Sequence, residues 1–297
     1  MRKETNASVE DLLLRCGLCL AAQDLLADYI LLEDYYMSAN IKKAMENDTA
    51  IVEGHVTSVM LDDVFFLLKK CIQRSIAGSS VDGVCAVVNN ACGVLEQDFC
   101  SLLQSRIKAG FPSAGYLDLT QAYNALQTSF QQGKLQAAGM GADASERQKL
   151  AFLTALNNAD AASDYIARLR SSLDLAALVA HRGEHVREKV DNCLSGLGGA
   201  TSRLKGILDA GMQQLRQSSV KPRIKPWMDE FVSHDIDDDR FADYEANDPF
   251  IQKLIRNLDG LLVGFKNSLT TNNYDGLVSI LTNEVTSQLE KVVLKSR

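Results

Sequence analysis

The chain has 297 residues, 46% of them hydrophobic and 23% charged, with a net charge of −7; that balance excludes global disorder. Only 4 residues are Pro, against 40 Leu, where average usage near 5% would give about fifteen Pro. Proline removes a backbone donor and clashes with the preceding helical turn, so its scarcity argues against an all-β or loop-rich fold and predicts long helices.

The first predicted element runs from about Val9 to Met45 and is apolar around much of its circumference between Leu12 and Leu32. Such a helix is expected to be buried among others. Leu61, Val64, Phe65, Leu68 and Ile72 then form a stripe at steps of three and four, which is the helical period. Pro112, following Gly110 and Phe111, should end a helix, and Leu117 to Leu135 reads as another. Phe152, Leu156, Ala159, Ile166, Leu169, Leu173 and Ala177 make a further stripe. Near the C-terminus Asp248 suits an N-cap and Pro249 a first helical position. Ile251, Leu254, Leu258, Leu261, Phe265 and Leu269 follow, and Tyr274 to Val293 repeat the pattern. These last two segments are expected to pair as a hairpin.

Breaks are predicted at 46–54, 77–83, 109–115, 133–144, 196–199 and 233–247, leaving eight or nine helices and one doubtful extended piece at Ile51 to Val56. Helices of about 25 residues are near 37 Å long and stack into rods. The expected class is therefore all-α, with elongated stacked helical bundles. The expected blocks are 1–136 and 145–232 as bundles, 233–247 as an acidic loop and 248–297 as the hairpin. No fixed-length repeat supports a solenoid.

No stretch approaches the 18 or more apolar residues of a membrane span, and MRKETNASVED turns acidic before an apolar core develops, unlike a secretory signal. Cysteines at 16, 19, 71, 85, 92, 100 and 193 suit small buried thiols in a reducing, intracellular setting. The triplets at Asn6 and Asn47 then have no glycosylation role. The acidic balance opposes nucleic-acid binding, which rests on clustered Lys and Arg. Arg216, Lys221, Arg223 and Lys225 form a short basic run, a small patch for anionic lipid, and are read as a solvated connector.

Four patterns could carry chemistry. His181, Glu184 and His185 spell H-x-x-E-H, in which two imidazoles on one helix face hold zinc and the carboxylate serves as base. Gly183 inside that turn, charged flanks and the isolation of His55 and His234 favour a solvated junction over this zinc-hydrolase alternative. Asp235, Asp237 and Asp239 imitate a calcium loop, but Arg240 stands where Gly is needed and Ala246 where Glu is needed, so no EF-hand is expected. Cys16 and Cys19 lack both the strand-to-helix setting of a redox pair and a second pair for zinc, and are read as structural thiols inside a helix. Trp227, after Pro226, is expected to be buried where a short helix opens, the alternative being an exposed partner contact.

DDVFFLLKKCIQR (62–74), RIKAGFP (106–112), FLTALNN (152–158), KPRIKPW (221–227), FADYEANDPFIQKLIRNL (241–258) and QLEKVVLKS (288–296) resemble, in consistent order, subunit 4 of the conserved oligomeric Golgi complex, a multisubunit vesicle tether. YEANDP and EKVVLKS are the most specific segments. The resemblance implies a helical rod, no catalysis, no metal or other cofactor, and a role on the cytosolic face of the Golgi in capturing retrograde intra-Golgi vesicles and supporting SNARE assembly. It implies sibling subunits as partners, SNAREs and their regulators as further ones, no nucleic acid, and only peripheral, indirect membrane association. It also implies a chain that begins inside the family's length and stops before a last helical portion. Trp227 and Tyr244 are the candidate partner contacts, with Asp248 and Pro249 as a structural helix start; HRGEH lies outside the family pattern.

Overall fold

The computed structural model describes residues 16–48, 56–112, 135–180, 183–232 and 248–295. The expected helix at Leu117 to Leu135 lies almost wholly outside them. So do the acidic loop, Tyr244, the piece from Ile51, and His55, His181 and His234.

Among the described residues every regular element is helical. In chain order they are α1 (Gly17–Glu46), α2 (Val59–Ala77), α3 (Val81–Gly93), a π turn (Val94–Phe99), α4 (Cys100–Lys108), α5 (Leu135–Ser171), α6 (Ala176–Val179), α7 (Glu184–Ser195), α8 (Leu197–Leu215), a second π turn (Arg216–Val220), α9 (Lys221–Val232), α10 (Pro249–Lys266) and α11 (Thr271–Lys295). Their ends have local causes. Ser80 Oγ accepts from Gly83 N at 3.2 Å and starts α3. α4 stops before Gly110, whose φ of 88° is the left-handed conformation that glycine adopts at little cost. Pro112 lies beyond it, and Gln148 Nε2 donates to the carbonyls of Ala109 (2.9 Å) and Gly110 (3.1 Å).

Contacts divide the chain into two units. One comprises residues 1–50, 59–99 and 164–202, the other 51–58, 100–163 and 203–297. The units therefore do not follow chain order, as the expected blocks 1–136, 145–232 and 248–297 would. α5 and α8 each contribute to both, because a long helix can present successive stripes to different neighbours.

In the first unit α1, α2 and α3 pack on one another, and α7 lies against α3. Leu61, Val64, Leu68 and Ile72 are buried as the stripe predicts. The Phe65 ring stands edge-on to Phe99 at 6.1 Å and meets Tyr165 at 5.2 Å, a geometry that adds roughly 1 kcal/mol to burial. In the second unit Phe111, Phe152 and Phe265 form the aromatic centre, with ring separations of 5.6 and 5.9 Å. α11 lies chiefly against α9 and the second π turn, and only to a smaller extent against α10. The expected hairpin is thus not the main packing of α11, because the second π turn and α9 run on from one another and together offer it a continuous surface.

Three further expectations change. Residues 135–144 are helical despite their glycines, because Leu, Gln and Ala are good helix formers and each Gly costs only about 1 kcal/mol. The basic run is helical, and α9 is not opened at Pro226: it starts at Lys221 and holds Pro226 inside. Pro222 lies in its first turn, directly after the π turn. There, i→i+5 closure has already moved the preceding carbonyls out of α register, so a residue without an N–H does least damage.

α8 approaches α5 and α4 closely at Gly211. A β-carbon there would stand 2.6 Å from Leu156 Cδ1 and 3.3 Å from Ile107 Cδ1, both on buried side chains. Gly211→Val should destabilise the second unit by about 2 kcal/mol through overpacking, read as a lower urea midpoint. Gly206→Val, where nothing lies within 4 Å, serves as the control.

Candidate interaction surfaces

Of the patterns that could carry chemistry, the acidic run at Asp235, Asp237 and Asp239 lies outside the described residues and HRGEH only partly within them. Gly183 has φ 83° and α7 begins only at Glu184. The helix that carries His185 therefore does not extend back to position 181, and His181 itself lies outside the described residues. Glu184 and His185 are exposed. Among the described residues no group of three His, Cys, Asp or Glu is placed to hold a metal.

Cys16 lies at the start of α1 and not inside it. It is the N-cap, its Sγ accepting from Cys19 N at 3.4 Å, and both residues are half-buried. Cys71, Cys85 and Cys100 are buried, and burial is the main cause that pushes the Cys71 and Cys85 thiols up to about 12. Such thiols are inert hydrophobes rather than nucleophiles.

Of the basic run, Arg216 donates through Nε and Nη2 to Glu284 Oε2 at 3.1 and 3.0 Å. Glu284 is 3% exposed at its side chain. Its carboxyl is held below the ordinary range, first by Gln288, with burial opposing and Arg216 and Lys221 assisting. This basic run is partly neutralised from within the fold. Trp227 is half-buried on α9, and a shallow, open depression beside it is lined by Pro222, Lys225, Pro226, Asp229 and Glu230. Asp248 Oδ1 accepts from Phe250 N and Ile251 N, both at 3.1 Å, and Pro249 opens α10.

The largest departure from expectation is α1. Its packed side carries Leu26, Ile30, Glu33, Met37 and Ile41, of which the last three are buried. Leu18, Leu25, Leu31, Leu32 and Tyr35 are instead between 68 and 81% exposed. Apolar character all round does not enclose this helix; it gives the helix a second apolar face that is exposed among the described residues, a candidate interaction surface.

Each unit contains one buried polar set of its own, and neither set follows from the sequence patterns above. In the first unit Glu33, 5% exposed, accepts from Arg74 Nε at 3.2 Å and also from Arg74 Nη2. Arg74 in turn lies 4.6 Å over the Tyr36 ring. In the second unit Asn157, 1% exposed, donates through Nδ2 to the carbonyls of Val56 (2.9 Å) and Ser268 (2.8 Å). Its Oδ1 accepts from Thr270 N at 3.0 Å and Asn273 Nδ2 at 3.2 Å. Asn158 is paired with Ser58 through both its amide atoms. The signals were present: a Glu on an otherwise apolar helix face, and two adjacent Asn inside FLTALNN.

Two family models match this chain. The middle α-helical bundle of the conserved oligomeric Golgi complex subunit 4 transport protein matches residues 1–107, and the C-terminal region of the same subunit matches residues 152–297. The chain belongs to the subunit 4 family. Proteins named conserved oligomeric Golgi complex subunit 4 are 44% identical to it in Drosophila melanogaster, over 92% of this chain and 35% of theirs. In Homo sapiens the figures are 37% over 100% of this chain and 39% of theirs, and in Arabidopsis thaliana 30% over 93% and 35%. The chain thus spans 35 to 39% of the length of these relatives. Among solved structures the C-terminal domain of the exocyst subunit Sec6p is similar in fold, with a TM-score of 0.57 and 11% identity over 90% of this chain and 62% of that one. The exposed face of α1 lies within the part matched by the family's middle bundle, and Asn157 and Asn158 lie within the C-terminal part.

Proposed function

We propose that the chain is part of a non-catalytic subunit of a vesicle-tethering complex, acting on the cytosolic face of the Golgi in retrograde intra-Golgi transport. The observation that carries this reading is the match of the two subunit 4 models to residues 1–107 and 152–297. Sibling subunits of the complex are the partners, with SNAREs and their regulators as further ones. Vesicle capture and SNARE assembly are the processes served, and no metal or other cofactor takes part. The all-helical architecture supports it, since packed helices offer long faces on which apolar anchors supply affinity and charged rims specificity. Peripheral association is supported because, among the described residues, no helix is long and apolar enough to cross a membrane.

The competing zinc-hydrolase reading is disfavoured by Gly183, which starts α7 after His181 has passed. Quantitative capture from cytosol of the full-length protein that contains this chain tests the proposal. Sibling subunits of the Golgi complex should be recovered in near-stoichiometric amounts, and their absence would refute it.

A further inference from the structure

We propose that the Leu18, Leu25 and Leu32 face of α1 docks one α-helix of another polypeptide, a helix with an apolar seam and a Lys- or Arg-bearing flank. This inference rests on α1 alone and goes beyond the tethering reading.

The three leucines are 81, 70 and 68% exposed and recur every seven residues. At about 100° per residue each step of seven drifts by only about 20°, so they lie in one line, with Ala21 beside it. From Leu18 to Tyr35 at 1.5 Å per residue the line is about 26 Å long, the reach of a partner helix of five turns. A seven-residue apolar period is what a second helix packs against, because knobs recur in register with it at a shallow crossing angle. The line is separate from the side of α1 that packs in the first unit, where Leu26, Ile30, Met37 and Ile41 point. Docking there therefore requires no rearrangement of the core.

Charge selects among the occupants. Asp24 and Asp28, four residues apart and both exposed, run along one edge of the line. Between Gly17 and Asn40 the helix has no Lys or Arg, and Asp24 and Asp28 are its exposed acids; the nearby guanidinium of Arg74, over the Tyr36 ring, is already paired with buried Glu33. A second copy on the same face would bring acidic edges together, which costs energy. An anionic membrane favours helices flanked by Lys and Arg, the reverse of this edge. A basic-flanked helix of a different chain satisfies both the apolar line and the carboxylates.

The test uses the full chain and two designed probe peptides of 24 residues, each with Leu at the a and d positions of its heptads. One has Lys at e and g, the other Glu, and binding is followed by fluorescence anisotropy at physiological salt. The Lys probe should bind at least tenfold more tightly than the Glu probe. It should weaken at least tenfold on Leu25→Ser with Leu32→Ser, which being exposed should leave the urea midpoint unchanged. Asp24→Lys with Asp28→Lys should reverse the preference between probes. Binding of the Lys probe that ignores the leucine changes would reduce the effect to bulk charge attraction and overturn the proposal. Concentration-dependent dimerisation in sedimentation that the leucine changes abolish would give the face to a second copy. Flotation with vesicles of phosphatidylcholine and phosphatidylserine that the same changes abolish would give it to a membrane. Either outcome overturns the proposal.

Discussion

Asn157→Ala is expected to loosen the second unit by roughly 3 kcal/mol, since stranding a buried donor or acceptor costs about 1–3 kcal/mol per group. The substitution strands Thr270 N and the carbonyls of Val56 and Ser268 together, while Asn273 Nδ2 keeps its bond to Leu156 O at 3.2 Å. The consequence is local before it is global. Asn157 ties the segment before α2 and the turn between α10 and α11 to α5, so both should open while the aromatic centre at Phe111, Phe152 and Phe265 stays packed. Hydrogen exchange reads this directly: the Thr270 amide should exchange about a hundredfold faster, given about 1.4 kcal/mol per tenfold. Asn157→Asp should not rescue it. An aspartate still accepts from Thr270 but turns an anion toward two carbonyls. Unchanged exchange at Thr270 in the Ala variant would remove Asn157 from its assigned place.

Arg74→Met should cost about 2–4 kcal/mol at neutral pH, because breaking a buried pair leaves an uncompensated charge. The lower half of that range is favoured by the 44% exposure of the Arg74 side chain, which screens the pair. Burial pushes the Glu33 carboxyl up, but bonds from Arg74 and Cys71 and the charge of Arg74 pull it further down, leaving it below its ordinary value of 4.5. A depressed folded-state value means that the contribution of Glu33 is fully present above the unfolded value. It is lost as pH falls through the folded one. In Arg74→Met the effect of burial is opposed only by the bonds from Cys71 and Tyr29, the carboxyl rises, and the variant carries a buried charge that protonation relieves. The stability gap between wild type and variant should therefore narrow as pH falls from 7 toward 4, measured by urea titration at each pH. Glu33→Gln combined with Arg74→Met should recover most of the loss. A gap that does not change with pH would show that Arg74 acts by packing on Tyr36 and not by charge.

The parts of the fold that could be read in advance are those with a local cause. The α2 stripe, the stop before Gly110 and Pro112, and the Asp248 cap each follow from a short run of residues and one backbone rule. α1 could not be read that way. A leucine on a helix face signals contact with something apolar, and periodicity does not say whether this is the chain's own core or another molecule. The sequence pattern of HRGEH invited a metal site only on the assumption of one continuous helix, and Gly183 at positive φ breaks that assumption. Pro226 does not open a helix, because α9 already starts at Lys221, with Pro222 in its first turn behind the π turn. The pairings of Asn157 and Glu33 carry no local signature because the partners lie 41 to 116 residues away along the chain, beyond the range of any local motif.

The proposed role, part of a non-catalytic tether, has a direct test in cells. Cells depleted of the protein that contains it should accumulate retrograde intra-Golgi vesicles, counted by electron microscopy. Re-expression of the full-length protein carrying His181→Ala, Glu184→Gln and His185→Ala should clear those vesicles as fully as wild type. Vesicle numbers unaffected by depletion would contradict the tethering role, and failure of the triple variant, expressed at wild-type level, would contradict its non-catalytic nature.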